Sequence, residues 1–164
     1  MNEAITEDSF EQAELVWSPV IGQFILEFAT IEDFLHSVIS WYLRDKHVTE
    51  FDLKDGLPSR LSLFRKIIIE ILESQQDKAK LSSAVEGIGA LVKIRNLLAH
   101  NSLSLEMEET QEGTIRAIGP IISGRKDPST SITLETLVLK LSELKRHRND
   151  MADLLSIFHA YTLK

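Results

Sequence analysis

The chain has 164 residues, 43% of them hydrophobic and 26% charged, with few Gly or Pro, a composition that fits one soluble, helix-rich domain and excludes fibrous and disordered classes. It contains no cysteine, which removes disulfide frameworks, thiolate zinc sites and cysteine nucleophiles together and fits a reducing cytoplasm. The net charge is −7, yet nine of the acids lie in two stretches without Lys or Arg: Glu3, Glu7, Asp8, Glu11 and Glu14 within residues 1–16, and Glu106, Glu108, Glu109 and Glu112 within residues 103–115. Without them the balance would be +2, so the body of the chain can present local basic surface.

Residues 1–16 are polar and acidic with weak periodicity and read as an N-terminal tail or a frayed helix. Residues 17–164 read as a single helical domain. Ser18 and Pro19 form an N-cap and first-turn pair, after which Ile21, Phe24, Ile25, Phe28, Ile31, Leu35, Val38, Ile39 and Tyr42 recur at three and four, predicting a first long helix to about Arg44. Its greasiest part, Val20 to Leu43, carries Glu27, Glu32, Asp33 and His36 and reads as amphipathic, with no membrane partner expected.

Asp55-Gly56-Leu57-Pro58 breaks the chain, and a second helix is predicted from Pro58 or Ser59 to Glu73, with Leu61, Phe64, Ile67, Ile68 and Ile71 facing inward. A third helix is predicted from about Asp77 to His100, apolar on most sides and therefore central. Beyond Asn101 the period changes to two: Leu103, Leu105 and Met107 alternate, Gln111-Glu112-Gly113 turns the chain, and Ile115, Ala117 and Ile121 alternate again. This predicts a β-hairpin at about 103–122. Ser123 to Ser131 reads as a loop, and a last long helix begins after Thr133, with Leu134, Leu137, Val138, Leu141, Leu144, Met151, Leu154, Leu155 and Phe158 in period. The fold class is all-α, an up-and-down bundle of about four long helices with the hairpin inserted before the last.

The end of the third helix reads Ile94-Arg95-Asn96-Leu97-Leu98-Ala99-His100-Asn101, which places a guanidinium, an amide and an imidazole in an otherwise apolar segment. Asn96 and His100, four apart, lie within about 40° of each other around the helix, whereas Arg95 and His100 diverge by roughly 140°. A long arginine can reach round, or a second copy of the motif can complete the group across a two-fold axis. Guanidinium beside neutral imidazole suits metal-free phosphodiester cleavage in RNA: histidine takes the proton of a 2′-hydroxyl or gives one to the leaving oxygen, and arginine stabilises the charge developing on phosphorus. The other reading is structural, with Arg95 paired to a first-helix carboxylate such as Glu27 or Glu32, His100 closing the helix C-terminus and Asn96 bonding a backbone carbonyl.

Arg95-Asn96-Leu97-Leu98-Ala99-His100 resembles the Arg, polar residue, three variable residues, His signature of the HEPN superfamily, small helical bundles that include many prokaryotic ribonuclease toxins. The placement, at the end of a later long helix with a final helix to follow, is similar too. The resemblance implies a HEPN-like homodimer whose motif helices meet in a cleft and cut single-stranded RNA without a metal or other cofactor, with roles for Arg95, His100 and Asn96. It also implies a cytoplasmic toxin–antitoxin or defence role, with an antitoxin protein as a further partner. Many HEPN domains are non-catalytic, so the resemblance equally admits an interaction or regulatory protein in which the motif organises the dimer or binds a ligand. The hairpin is outside the minimal HEPN bundle.

Other groupings carry less. Glu32, Asp33 and His36 have the spacing of bundle metal ligands, but the only other such pair is Glu143 with His147, on a basic face with Lys140, Lys145, Arg146 and Arg148, and no metal site is expected. That basic run reads as a solvated helix face. There is no Gly-rich phosphate loop, nucleophile elbow or nucleotide fingerprint.

Overall fold

The structure, a computed structural model, describes residues 7–45, 56–109, 115–125, 127 and 129–162. Four helices, α1 (Glu7–Asp45), α2 (Leu57–Ile71), α3 (Gln75–His100) and α4 (Leu134–Thr162), enclose in sequence an antiparallel sheet of β1 (Leu103–Glu109), β2 (Ile115–Ser123) and β3 (Ser131–Ile132) in the order β1-β2-β3. This is the expected mostly helical class, with the hairpin before the last helix. The Gln111-Glu112-Gly113 turn and the side chains of Leu154, Leu155 and Phe158 lie outside the described residues.

Two helix starts differ from expectation. The first is α1, which runs through Pro19 and begins at Glu7 rather than after Ser18. An interior proline costs about 3 kcal/mol because it removes the bond to the carbonyl four residues back. Here that carbonyl belongs to Leu15, a residue 75% exposed, where water can take over the lost bond. Trp17, 1% exposed, lies on the upstream side, and burying an indole contributes about 4 kcal/mol or more as an upper estimate. Packing of Trp17 therefore outweighs the local stop signal. The second is α3, which begins at Gln75 because Ser74 caps it: the Asp77 N–H donates to Ser74 Oγ at 3.2 Å and the Lys78 N–H to the Ser74 carbonyl at 3.0 Å.

The other ends follow local rules. Gly56 stands at the N-cap of α2 in an extended conformation with Pro58 just inside, and an extended Leu72 ends the helix. Thr133 caps α4 as expected, its Oγ1 accepting the Thr136 N–H at 3.3 Å.

The chain forms two compact units, residues 1–25 with 93–141 and residues 26–92 with 142–164. In the second unit, segments of all four helices build one core of Phe28, Ile31, Leu35, Phe64, Ile67, Ile68, Leu81, Ile88 and Leu144. Phe34 and Phe64 meet edge to face at 5.5 Å between α1 and α2. Ion pairs fasten the helices around that core: Arg60 with Glu32 (3.8 Å) for α2 and α1, Arg65 with Glu86 (2.9 Å) for α2 and α3, and Lys80 with Asp150 (3.2 Å) and Asp153 (3.3 Å) for α3 and α4. The last two raise the Lys80 pKa, chiefly by hydrogen bonding. These pairs are exposed or half-exposed, and each contributes little.

Arg148 of α4 reaches Glu27 of α1, whose residue is 8% exposed. At 3.2 Å the approach is an ion pair without an aligned hydrogen bond, since Glu27 Oε2 is buried and otherwise unbonded. The guanidinium's other branch donates to Asn149 Oδ1 at 2.8 Å. His147, one turn of α4 away from Glu143, fills the space beside Gly87 of α3, where any Cβ would strike the imidazole ring. Burial lowers the His147 pKa, with Arg146 adding to the shift and Asp150 and Glu143 opposing it.

By length and composition the Phe10–Arg44 stretch of α1 is long and apolar enough to cross a membrane; within it, Glu27 and Glu32 pair with Arg148 and Arg60.

The first unit draws its core from Trp17 and Phe24 of α1, Leu97 and Leu98 of α3, Ile121, Ile122 and Ile132 of the sheet, and Leu137 and Leu141 of α4. Val138, expected in the core, is 44% exposed, because Leu137 and Val138 point about 100° apart and the helix buries the former. The predicted hairpin is the first two strands of a three-stranded sheet, to which β3 adds only the pairs Ile122 with Ile132 and Ser123 with Ser131. A bulge at Glu106/Met107, opposite Ala117 to Gly119, shifts the β1–β2 register and interrupts the simple alternation. Ile121 and Ile122, in regular register with Ser104 and Leu103 outside the bulge, are both buried.

A candidate active-site cleft at the end of α3

The last two turns of α3 present Lys93, Asn96 and His100 on one exposed stripe, at the helical spacings zero, three and seven. Leu98, 7% exposed, holds the opposite side of the helix in the core, while Leu97, also 7% exposed, borders the stripe. A helix that is apolar over most of its circumference thus keeps one polar strip clear of the core.

Asn101 ends the helix. Both its backbone N–H (3.1 Å) and its side-chain Nδ2 (2.8 Å) donate to the Leu97 carbonyl, one of the four that an α-helix leaves unpaired at its C-terminus. The capping expected of His100 is therefore performed by its neighbour, and the imidazole is left exposed. The third polar atom of Asn101, Oδ1, accepts the Arg125 N–H at 3.1 Å. One amide thereby ties the end of α3 to the β2–β3 loop.

That loop, residues 124–130, is shaped from within. The Gly124 N–H donates to the Thr130 carbonyl at 2.8 Å and the Thr130 N–H to the Asp127 carbonyl at 3.0 Å. A Cβ at residue 124 would lie 2.9 Å from the Asp127 carbonyl oxygen, so the turn requires glycine. Asp127 Oδ1 accepts from the Ser129 N–H (3.1 Å) and hydroxyl, and Oδ2 from the Thr130 hydroxyl (2.9 Å). These bonds, led by that from Ser129, hold its pKa below the usual carboxylate value.

Between the stripe and the loop lies a cleft of about 550 Å³, lined by Lys93, Asn96, Leu97, His100 and Asn101 from one side and by Gly124, Arg125, Asp127 and Thr130 from the other. Its volume is that of a small-ligand site. Two of the three motif residues, Asn96 and His100, line it. Arg95 is half-buried and does not, but its Nη1 donates to Asn96 Oδ1 at 3.3 Å. The arginine thus reaches round the helix to the residue that faces the cleft, in keeping with the roughly 140° that separates it from His100.

In the sequence Lys93 shows only as an interruption of an apolar helix, and Arg125, Asp127 and Thr130 fall in a connecting loop. The available signals are the asparagine directly after the third helix, a common C-terminal cap, and Asp127 followed by Ser129 and Thr130, the pattern of side chains that bond their own backbone turn.

In the other unit Glu32 pairs with Arg60, Asp33 and His36 are exposed, and His147 packs beside Gly87; among the described residues no three of His, Asp or Glu cluster closely enough to hold a metal ion. In comparison with known proteins, the chain matches no protein-family model, no curated protein and no solved structure.

Proposed function

We infer that this protein is a HEPN-like, metal-independent endoribonuclease that acts as a homodimer in the cytoplasm, in a toxin–antitoxin or defence role. The observation that carries the reading is the convergence of Asn96 and His100 on a cleft that also holds Lys93 and Arg125. An RNA phosphodiester needs cationic groups for its phosphate and an imidazole for its protons, and the cleft offers both.

In the reaction, the 2′-oxygen of a ribose attacks the adjacent phosphorus while its proton passes to an imidazole. The new bond from phosphorus to the 2′-oxygen closes a cyclic phosphate, the bond to the 5′-oxygen breaks, and a second acid protonates the departing oxygen. One chain supplies one such histidine, His100. A second copy supplies the other, so that neutral His100 of one subunit is the base and protonated His100 of its partner the acid. Arg95 does not line the cleft of a single chain but is bonded to Asn96, which does, and in the dimer it stabilises the charge that grows on the phosphoryl oxygens.

The reading is tested with protein freed of metal by chelation. Cleavage of single-stranded RNA that survives chelation and is lost in folded Arg95→Ala and His100→Ala variants supports it; cleavage that persists unchanged in both variants overturns it.

The half-burial of Arg95 and its bond to Asn96 favour a second reading, a non-enzymatic HEPN-like interaction or regulatory protein in which the motif organises the dimer or binds a ligand. That reading expects Arg95→Ala to yield monomers, with no cleavage by the parent protein.

A further inference from the structure

We propose that Lys93 and Arg125 form a phosphate-binding subsite beside His100, so that the cleft grips the backbone of an oligonucleotide chain rather than a single nucleotide. The proposal rests on the reading of this cleft as an RNA-cleaving site and adds two positioning residues from outside the motif, one of them from the sheet insertion.

Charge is the first argument. The protein carries −7 overall, yet among the described residues the cleft holds Lys93 and Arg125 against the one acid Asp127, and His100 adds a further positive charge when protonated. Both oxygens of Asp127 already accept hydrogen bonds from Ser129 and Thr130 within the loop. Among the described residues, the side chains of Lys93, His100 and Arg125 make no hydrogen bond or ion pair. Two permanent cations gathered in a cleft of an acidic protein, without partners among the described residues, attract an anion from solution.

Placement is the second argument. Lys93 and His100 stand two turns apart, a rise of about 10 Å along α3, so the cationic strip is elongated along the helix. Such a strip matches a succession of phosphates better than one. Arg125 is held opposite it through its own backbone N–H, which is fixed to Asn101, the residue next to His100. The guanidinium fork is suited to two oxygens of one phosphate, and the lysine acts as a point charge on another. The loop's internal bonding keeps this geometry in place before substrate arrives, which lowers the ordering cost of binding.

The test uses the full-length His100→Ala protein, in which cleavage is disabled, and a fluorescein-labelled single-stranded RNA of about twelve nucleotides, within the span that single-strand-binding grooves cover. Binding is followed by anisotropy over a range of salt concentrations, with circular dichroism as the check on folding. Adding Lys93→Ala or Arg125→Ala is expected to weaken binding several-fold at low salt. Each should also flatten the log–log salt dependence by about 0.7 for every phosphate that is no longer neutralised. Arg125→Ala keeps the backbone bond to Asn101, so weaker binding reports the guanidinium and not the loop, and Arg125→Lys should recover most of the slope. A folded double variant that binds with unchanged affinity and salt slope overturns the subsite, even where the parent protein cleaves RNA. Salt-dependent binding that needs both residues, in a protein whose parent never cleaves, upholds the subsite and overturns the nuclease reading. Failure of the His100→Ala protein to bind the RNA at all overturns the proposal.

Discussion

Arg148 and Arg125 show how differently the two units use the same side chain. Arg148 is committed to structure: one branch faces the buried Glu27 carboxylate at 3.2 Å and the other bonds Asn149. Arg125 is fixed only through its backbone N–H, and its side chain lines a cleft. The histidines divide the same way. His147 fills the space beside Gly87 and has its charged form disfavoured by burial, while His100 stands exposed at the helix end because Asn101 does the capping. In the helical unit Arg148 and His147 are used between helices, whereas Lys93, His100 and Arg125 of the sheet-bearing unit face a solvent-filled cleft. The second arrangement is the one that can serve a ligand.

This contrast can be broken by substitution, and the largest effect is expected in the helical core. Phe64, 0% exposed and in edge contact with Phe34, leaves a cavity when replaced: Phe64→Ala should lower unfolding free energy by about 3–5 kcal/mol in denaturant titration. Arg148→Ala comes next. Removing the partner of a fully buried carboxylate costs about 3–5 kcal/mol, but Arg148 is 35% exposed on its side chain, and water screening reduces the expected loss to about 1–3 kcal/mol. A loss below about 0.5 kcal/mol, the range of ordinary surface substitutions, would show that this pair is not structural.

In the sheet-bearing unit the same experiments should give the opposite profile. Asn101→Ala removes the side-chain bond to the Leu97 carbonyl and the acceptor for the Arg125 N–H, which is expected to cost about 1 kcal/mol of stability. Its effect on RNA binding should be larger than that of Phe64→Ala measured on folded protein, because it frees the loop that carries Arg125. Equal binding by the parent and Asn101→Ala would separate the loop from the site.

The smallest effect is a pH dependence. The His147 pKa is lowered by burial and by Arg146, against Asp150 and Glu143, so on acidification the unfolded chain binds a proton that the folded chain refuses. Its contribution is complete above the ordinary histidine value near 6.5 and is lost as pH falls through the lower folded value. Thermal unfolding of the parent should therefore decline more steeply from about pH 7 to pH 5 than that of His147→Gln. Parallel profiles would remove His147 as the cause.

Much of the fold is legible because its signals are local or periodic. Phe28, Ile31, Leu35, Phe64, Ile67 and Ile68 lie buried where helical spacing places them, and Thr133 caps the last helix. The start of the first helix is hidden because Ser18 and Pro19 are a strong local stop that the burial of Trp17 overrides, and that burial depends on residues far along the chain. A two-residue strand such as β3 has no period to detect. The site is half legible for the same reason. Asn96 and His100 share a helix face and can be paired by arithmetic, whereas Arg125 and Thr130 reach the cleft only through the return of β2 to β3. The anchor for that return, Asn101, looks in the sequence like the mere end of a motif.

The activity proposed for the motif at the end of α3 is metal-free cutting of RNA. It is tested most directly by comparing cleavage of single-stranded RNA by the chelator-treated parent protein with that by His100→Ala and Arg95→Ala, each shown to be folded. The account predicts cleavage by the parent that is reduced at least about 100-fold in the histidine variant, as expected on removal of a general acid–base group, and strongly reduced in the arginine variant. Parent-level cleavage in both variants, or no cleavage by the parent on any single-stranded RNA, would contradict it.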